Sequence, residues 1–175
     1  MKSSVSLVAA LFVLLLGCLA PAQTPAQTSD KPGLLDKAQL KDVVPGNYFF
    51  AGKTAPVQLR NAAGARLSDG KLVIAALVDN SGYSTNIQEK YQGLFITEAQ
   101  ISIEGKTLAP GEYGFGRTAD GNFNILDVAS STVASFAGHA DDSVKRPVPL
   151  QMTSQGGDTY RLYLGRNYVE FSLAK

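Results

Sequence analysis

Downstream of Asn47 the chain alternates apolar and polar positions between closely spaced turn signals. From Phe95 to Glu104 the alternation is unbroken: Phe95, Thr97, Ala99, Ile101 and Ile103 face one way, and Ile96, Glu98, Gln100, Ser102 and Glu104 the other. A period of two is that of a half-buried strand. Leu72 to Val78 is apolar without alternation, which predicts a strand buried on both faces, since Asp69-Gly70 and Asn80-Ser81-Gly82 bound it too closely for a helix. Turn pairs recur at Ala63-Gly64, Glu104-Gly105, Pro110-Gly111, Asp120-Gly121 and Gly156-Gly157, at intervals that suit short strands.

Two hairpins can be registered from pattern alone. A two-residue turn at Arg166-Asn167 sets Leu164 opposite Val169, Leu162 opposite Phe171 and Tyr160 opposite Leu173, with Arg161 and Glu170 as diagonal neighbours on the other face. The same construction at Asp120-Gly121 pairs Arg117 with Asn124, Phe115 with Leu126 and Tyr113 with Val128 on a core face. It leaves Gly114, Gly116, Phe123 and Ile125 together on the opposite face. Glycine inside a strand marks a bulge, a bend or a close approach by a backbone or ligand.

One short helix is expected between Leu34 and Val44, ended by Pro45-Gly46. The remaining signals predict an all-β domain over 47–175, an antiparallel β-sandwich of roughly eight to ten short strands, with a small β-barrel as the alternative.

The N-terminus has a different pattern. Met1-Lys2, an apolar run from Val5 to Leu16 and small residues from Gly17 to Ala22 form a secretory signal over 1–22. The run is shorter than the roughly 17 apolar residues that a membrane-spanning helix needs at minimum, so no integral span is expected. Two exits compete. Ala20-Pro21-Ala22 offers a small-x-small cleavage site that releases a soluble periplasmic or extracellular protein beginning at Gln23. Leu15-Leu16-Gly17-Cys18 resembles the lipobox of bacterial lipoproteins, which implies lipidation at Cys18 and an outer-membrane anchor. Pro, Ala, Gln and Thr dominate the start of the segment that follows, making 23–46 a flexible tether that ends in the short helix.

Composition narrows the function further. Of 16 basic and 15 acidic residues only Lys2 falls in the signal, so the exported part is neutral, which argues against nucleic acid as partner. Cys18 is the single cysteine, so no disulfide can staple the domain and its core must hold it alone.

The stretch Ile103-Glu104-Gly105-Lys106-Thr107-Leu108-Ala109-Pro110-Gly111-Glu112-Tyr113-Gly114-Phe115 resembles the G-K-x-L-x-x-G-x-Y strand-turn-strand signature of exported bacterial β-sandwich domains, both uncharacterised secreted proteins and prealbumin-like accessory modules. The resemblance covers about Ile101 to Val128. It implies a sandwich fold and carries over no catalytic residue. The upstream Arg- and Asn-rich segment of such proteins is absent, and the lack of tryptophan removes the Gly-x-Trp opening of lipocalin barrels.

Catalytic equipment is sparse. The one histidine, His139, lies in Gly138-His139-Ala140-Asp141-Asp142, a polar loop. Ser135 and Ser143 are near it in sequence, but neither sits in a G-x-S-x-G elbow. One imidazole and two adjacent carboxylates that diverge on an extended chain do not close a metal site, so no metal or other cofactor is expected. The carboxylates Glu98, Glu104, Asp127 and Glu170 fall at strand or turn positions facing solvent, and Lys145-Arg146-Pro147 reads as a solvated strand edge. The candidate ligand-binding surface is Gly114, Gly116, Phe123 and Ile125, joined by Tyr83 and Tyr91, because shallow aromatic faces suit sugars or partner strands. The competing reading is that a helix or loop packs over this face and the glycines make room. These features point to an exported, non-catalytic binding or interaction module of the bacterial cell envelope, its partner an envelope protein or a carbohydrate. A secreted hydrolase with dispersed carboxylates is the alternative.

Overall fold

The computed structural model describes residues 31–175. The expected export segment 1–22, with Cys18, and the expected tether up to Asp30 lie outside the described residues.

The first sheet is antiparallel throughout. Its strands run in the order β1 (Gly33–Leu34), β3 (Lys53–Arg66), β4 (Leu72–Val78), β5 (Gly93–Thr97), β8 (Gly111–Arg117), β9 (Asn122–Leu126) and β10 (Thr132–Ala137), with β2 (Asn47–Phe50) paired to the start of β3. The second sheet runs β12 (Leu150–Gly156), β13 (Thr159–Leu164), β14 (Asn167–Leu173), β6 (Ile101–Ile103) and β7 (Lys106–Leu108), with β11 (His139–Ala140) against β14. The two sheets pack face to face as an all-β sandwich, and among the described residues no ladder joins them. Phe95, Phe115, Phe123, Ile125, Ile101, Ile103, Leu162, Val169 and Phe171 form the core between them.

A second, smaller core lies on the outer side of the first sheet. There β2 and α2 (Thr85–Lys90) cover Ala76, Val78, Leu94 and Leu126, and the rings of Tyr48, Phe50 and Tyr91 fill the space. Phe50 stacks on Tyr91 with centroids 4.6 Å apart. This third layer explains why β4 is apolar at every position, since both of its faces are covered.

The folded body begins earlier than the sequence pattern places it. Gly33 and Leu34 pair with Arg66 and Ala65 on β3, and α1 (Lys37–Val43) packs its buried Leu40 beside the same strand. Asp36 and Gln39 close a reciprocal capping box at the helix start. Residues 33–44 thus belong to the sandwich rather than to a tether.

Three further expectations are corrected. The run Phe95 to Glu104 is two strands, β5 in the first sheet and β6 in the second, separated at Glu98–Gln100. The Asp120-Gly121 hairpin is shifted by one residue: Phe115 pairs with Ile125, Gly114 with Leu126 and Gly116 with Asn124. Gly121 N donates to Thr118 O and Thr118 N to Asn122 O, and Gly121 has a φ of 94°, so the loop is a type I turn closed by a glycine bulge with three loop residues, not two. In the last hairpin the turn is Gly165-Arg166, and the pairs are Leu162 with Val169, Tyr160 with Phe171, and Arg161 directly opposite Glu170. That shift is two residues, so every side chain keeps its expected face.

Candidate functional site

The one-residue shift in the β8–β9 hairpin divides the expected ligand surface. Phe123 and Ile125 point into the core between the sheets and are 2% and 4% exposed. Gly114 and Gly116 face the other way, beneath Tyr91 and the end of α2. A Cβ at Gly114 would stand 2.3 Å from the Tyr91 ring, and one at Gly116 would stand 2.5 Å from the Glu89 carbonyl oxygen. The four residues therefore do not share a face, and none is exposed. Tyr83 lies over Phe50 at the margin of the third layer, and its hydroxyl donates to Thr54 O at 2.6 Å. Tyr91 is fully buried, with its hydroxyl on Asp127 O (2.9 Å) and Ser130 Oγ (3.0 Å).

Polar and aromatic side chains instead converge on the outer face of the second sheet. Cross-strand pairing of β13 with β14 sets Arg161 against Glu170 and Tyr163 against Tyr168. Arg161 Nε donates to Glu170 Oε2 at 3.2 Å while its guanidinium carbon lies 4.4 Å from the Tyr168 ring centre, a planar cation on an aromatic face. The short strand β11 places His139 opposite Tyr168, with their ring centres 5.2 Å apart. His139 Nε2 meets Glu104 Oε2 at 3.0 Å.

Glu104 is held at some conformational cost. It is the first residue of the two-residue turn between β6 and β7 and has a φ of 46°, in the left-handed region that non-glycine residues avoid. Its carboxylate offsets this by accepting from Glu170 N at 2.6 Å through one oxygen and meeting His139 through the other. Glu104, Gly105 and Glu170 line a shallow depression of about 230 Å³ together with Ser102, Thr159 and Ser172.

At the margin of this face Tyr163 Oη donates to Asp141 Oδ2 at 2.9 Å, and the backbone and hydroxyl of Ser143 hold the other carboxylate oxygen. The Ser143 hydroxyl and then Tyr163 lower the pKa of Asp141, while burial raises that of the Tyr163 phenol. Ser143 is thus committed to Asp141 rather than to His139, and Ser135 offers its carbonyl to Lys106 Nζ at 3.1 Å. Of the remaining carboxylates, Glu98 accepts from Leu72 N (2.8 Å), and Asp127 accepts from Ala129 N and Ser131 N in a turn. Lys145 and Arg146 are exposed between β11 and β12. Among the described residues no group of three or more His, Cys, Asp or Glu side chains converges to hold a metal ion.

Sequence pattern located His139, Glu104 and Glu170 individually but did not bring them together. Its one available signal was the polar face of the last hairpin, where two tyrosines alternate with an Arg and a Glu. No protein-family model, no curated protein and no solved structure matches this chain.

Proposed function

We propose that this chain is an exported, non-catalytic binding module of the bacterial cell envelope, and that the outer face of its second sheet takes a polyhydroxylated envelope glycan. The carrying observation is a depression whose rim is two carboxylates and three hydroxyls, next to the cluster that Tyr168 forms with Arg161 and His139. Sugars are recognised by such a rim, since carboxylates and hydroxyls take the O–H groups. The parts are pre-positioned by strand pairing, which keeps the ordering cost of binding low. Glu104 has both oxygens engaged by the protein, which favours recognition over acid–base work on a substrate.

The test uses protein beginning at Gln23, uniformly 15N-labelled, titrated with the soluble disaccharide of N-acetylglucosamine and N-acetylmuramic acid. Saturable shifts at Ser102, Glu104, His139 and Tyr168, abolished by Tyr168→Ala, are expected. An unperturbed spectrum at 10 mM disaccharide, or shifts scattered away from this face, overturns the proposal. Conversion of the sugar during the titration, followed by mass, would instead establish the hydrolase alternative.

A further inference from the structure

A second concavity lies between α1 and the irregular middle of β3. It encloses about 390 Å³ and is lined by Lys37, Leu40, Lys41, Leu59, Arg60 and Ala62, within the roughly 300–1,000 Å³ span of small-molecule sites. Its floor is apolar and its rim carries three cations.

The groove is built rather than incidental. After Val57 the β3–β4 ladder breaks, and it resumes at Ala62, so Gln58 to Asn61 have no cross-strand partner. Bulges of this kind re-aim side chains. Here the arch is pinned: Gln58 Nε2 donates to Val78 O at 3.2 Å and Asn61 Nδ2 to Gln58 Oε1 at 2.7 Å. The arch leaves Leu59 43% exposed at its crest, next to Arg60. On the other wall the capping box fixes α1, and Leu40, 7% exposed, anchors it. Lys37 and Lys41 are four residues apart and so lie on one face of the helix. Asp42 lies about 100° further round the helix axis.

Among the described residues none of Lys37, Lys41 and Arg60 pairs with a carboxylate or makes a side-chain hydrogen bond. The exported part of the chain is neutral overall, so this concentration of positive charge is local. Three cations around an apolar hollow are complementary to one class of ligand, an acidic head on an apolar tail. We infer that the α1–β3 groove binds a single-chain anionic amphiphile, its carboxylate or phosphate head among Lys37, Lys41 and Arg60 and its chain along Leu40, Leu59 and Ala62.

The experiment is a set of calorimetric titrations of the protein beginning at Gln23, with monomeric dodecanoate and dodecyl phosphate below their micellar concentrations. Dodecyltrimethylammonium and dodecyl maltoside carry the same tail without the anion, and inorganic phosphate carries the anion without the tail. Saturable one-to-one binding of both anionic amphiphiles is expected, weakened at least tenfold by Lys41→Glu/Arg60→Glu and by raised salt. All three cations are exposed, so the double variant should melt with the parent. Leu59→Asp, also at an exposed site, should abolish binding by removing the tail contact. Equal affinity for all four amphiphiles, or binding of phosphate as tight as that of dodecyl phosphate, overturns the inference. So does attachment to anionic phospholipid vesicles without binding of the monomers. A marked gain in affinity on trimming the protein to start at Lys31 would show that the chain's own preceding residues occupy the groove, and would also overturn it.

Discussion

Substituting Gly116 or Gly114 by alanine tests whether α2 and Tyr91 lie on β8. At Gly116 the new methyl would stand 2.5 Å and 2.6 Å from the carbonyl oxygens of Glu89 and Lys90. At Gly114 it would stand 2.3 Å and 2.5 Å from Tyr91 ring carbons and 3.0 Å from the Tyr48 hydroxyl. Optimal carbon contacts are about 3.5–4.0 Å, so each methyl overlaps its neighbours by about 1 Å. Tyr91 cannot swing clear without losing its bonds to Asp127 and Ser130 and its stack on Phe50. Overpacking of this kind costs roughly 1–3 kcal/mol, against which the stiffer unfolded chain returns about 0.4–1 kcal/mol. A net loss of about 1–2 kcal/mol lowers the melting temperature by roughly 2–8 °C for a domain of this size. Gly116→Ala falls at the upper end because its obstacle is backbone. Gly82→Ala is the control, since a methyl there meets nothing within 4 Å and the residue does not have positive φ. Thermal and urea unfolding followed by circular dichroism reads all three. If Gly114→Ala and Gly116→Ala unfold together with Gly82→Ala, the third layer does not cover β8 and the glycine face is open to a ligand after all.

Tyr48 is buried with no hydrogen-bond partner for its hydroxyl among the described residues, and burial strongly raises its pKa above the usual 10.0. The neutral phenol is the folded form, so its contribution is intact below pH 10 and is lost as pH rises towards the folded value. Tyr48→Phe should be as stable as the parent or up to about 1 kcal/mol more stable at pH 7, and should resist alkaline unfolding longer, as read by tyrosinate absorbance. At the β6–β7 turn, Glu104→Ala loses the carboxylate and keeps the strained φ, whereas Glu104→Gly loses the carboxylate alone. Urea midpoints should place the alanine variant about 1 kcal/mol below the glycine variant. Asp141, its pKa lowered by Ser143 and Tyr163, contributes stability above its unfolded value of 3.8 that is lost as pH falls through the lower folded value. Asp141→Asn should therefore unfold earlier than the parent at pH 6, with the gap closing in acid. Intact mass of protein recovered from the envelope should show a start at Gln23, and a diacylated Cys18 would refute the soluble exit.

Periodicity located the buried side chains better than it located the strands. Phe95, Thr97, Ala99, Ile101 and Ile103 are all buried, as alternation requires. Because a chain that crosses from one sheet to the facing one can keep the same side inward, alternation carries no sign of the corner at Glu98–Gln100. The register error at Asp120-Gly121 has a local cause. An Asp-Gly pair serves both a two-residue turn and a type I turn with a glycine bulge, and these differ by one residue. Thr118 decides for the bulge: its hydroxyl bonds to Asp120 and to Asn122 O, and Asp120 accepts from Asn122 Nδ2. One residue was enough to move Phe123 and Ile125 from a candidate surface into the core. The Tyr168 face was hidden for a different reason. It joins Glu104, His139 and Glu170 across the β6–β7 turn, β11 and β14, and pairings at that separation leave no mark in a single sequence.

The corner at Glu98–Gln100 also governs the order in which the molecule can be completed. Chain growth supplies every strand of the first sheet by Ala137, yet the β6–β7 hairpin, already made, has no further partner in the second sheet until β14 emerges some seventy residues later. Until then Ile101 and Ile103 lack their β14 neighbours Leu173 and Phe171, and the inner side of the first sheet lacks the cover of β12, β13 and β14. Such late, long-range closure belongs to the slow class of β folds, which reach the native state in milliseconds to seconds. A nascent chain of this kind stays open until its last hairpin is released, a state compatible with the export we propose.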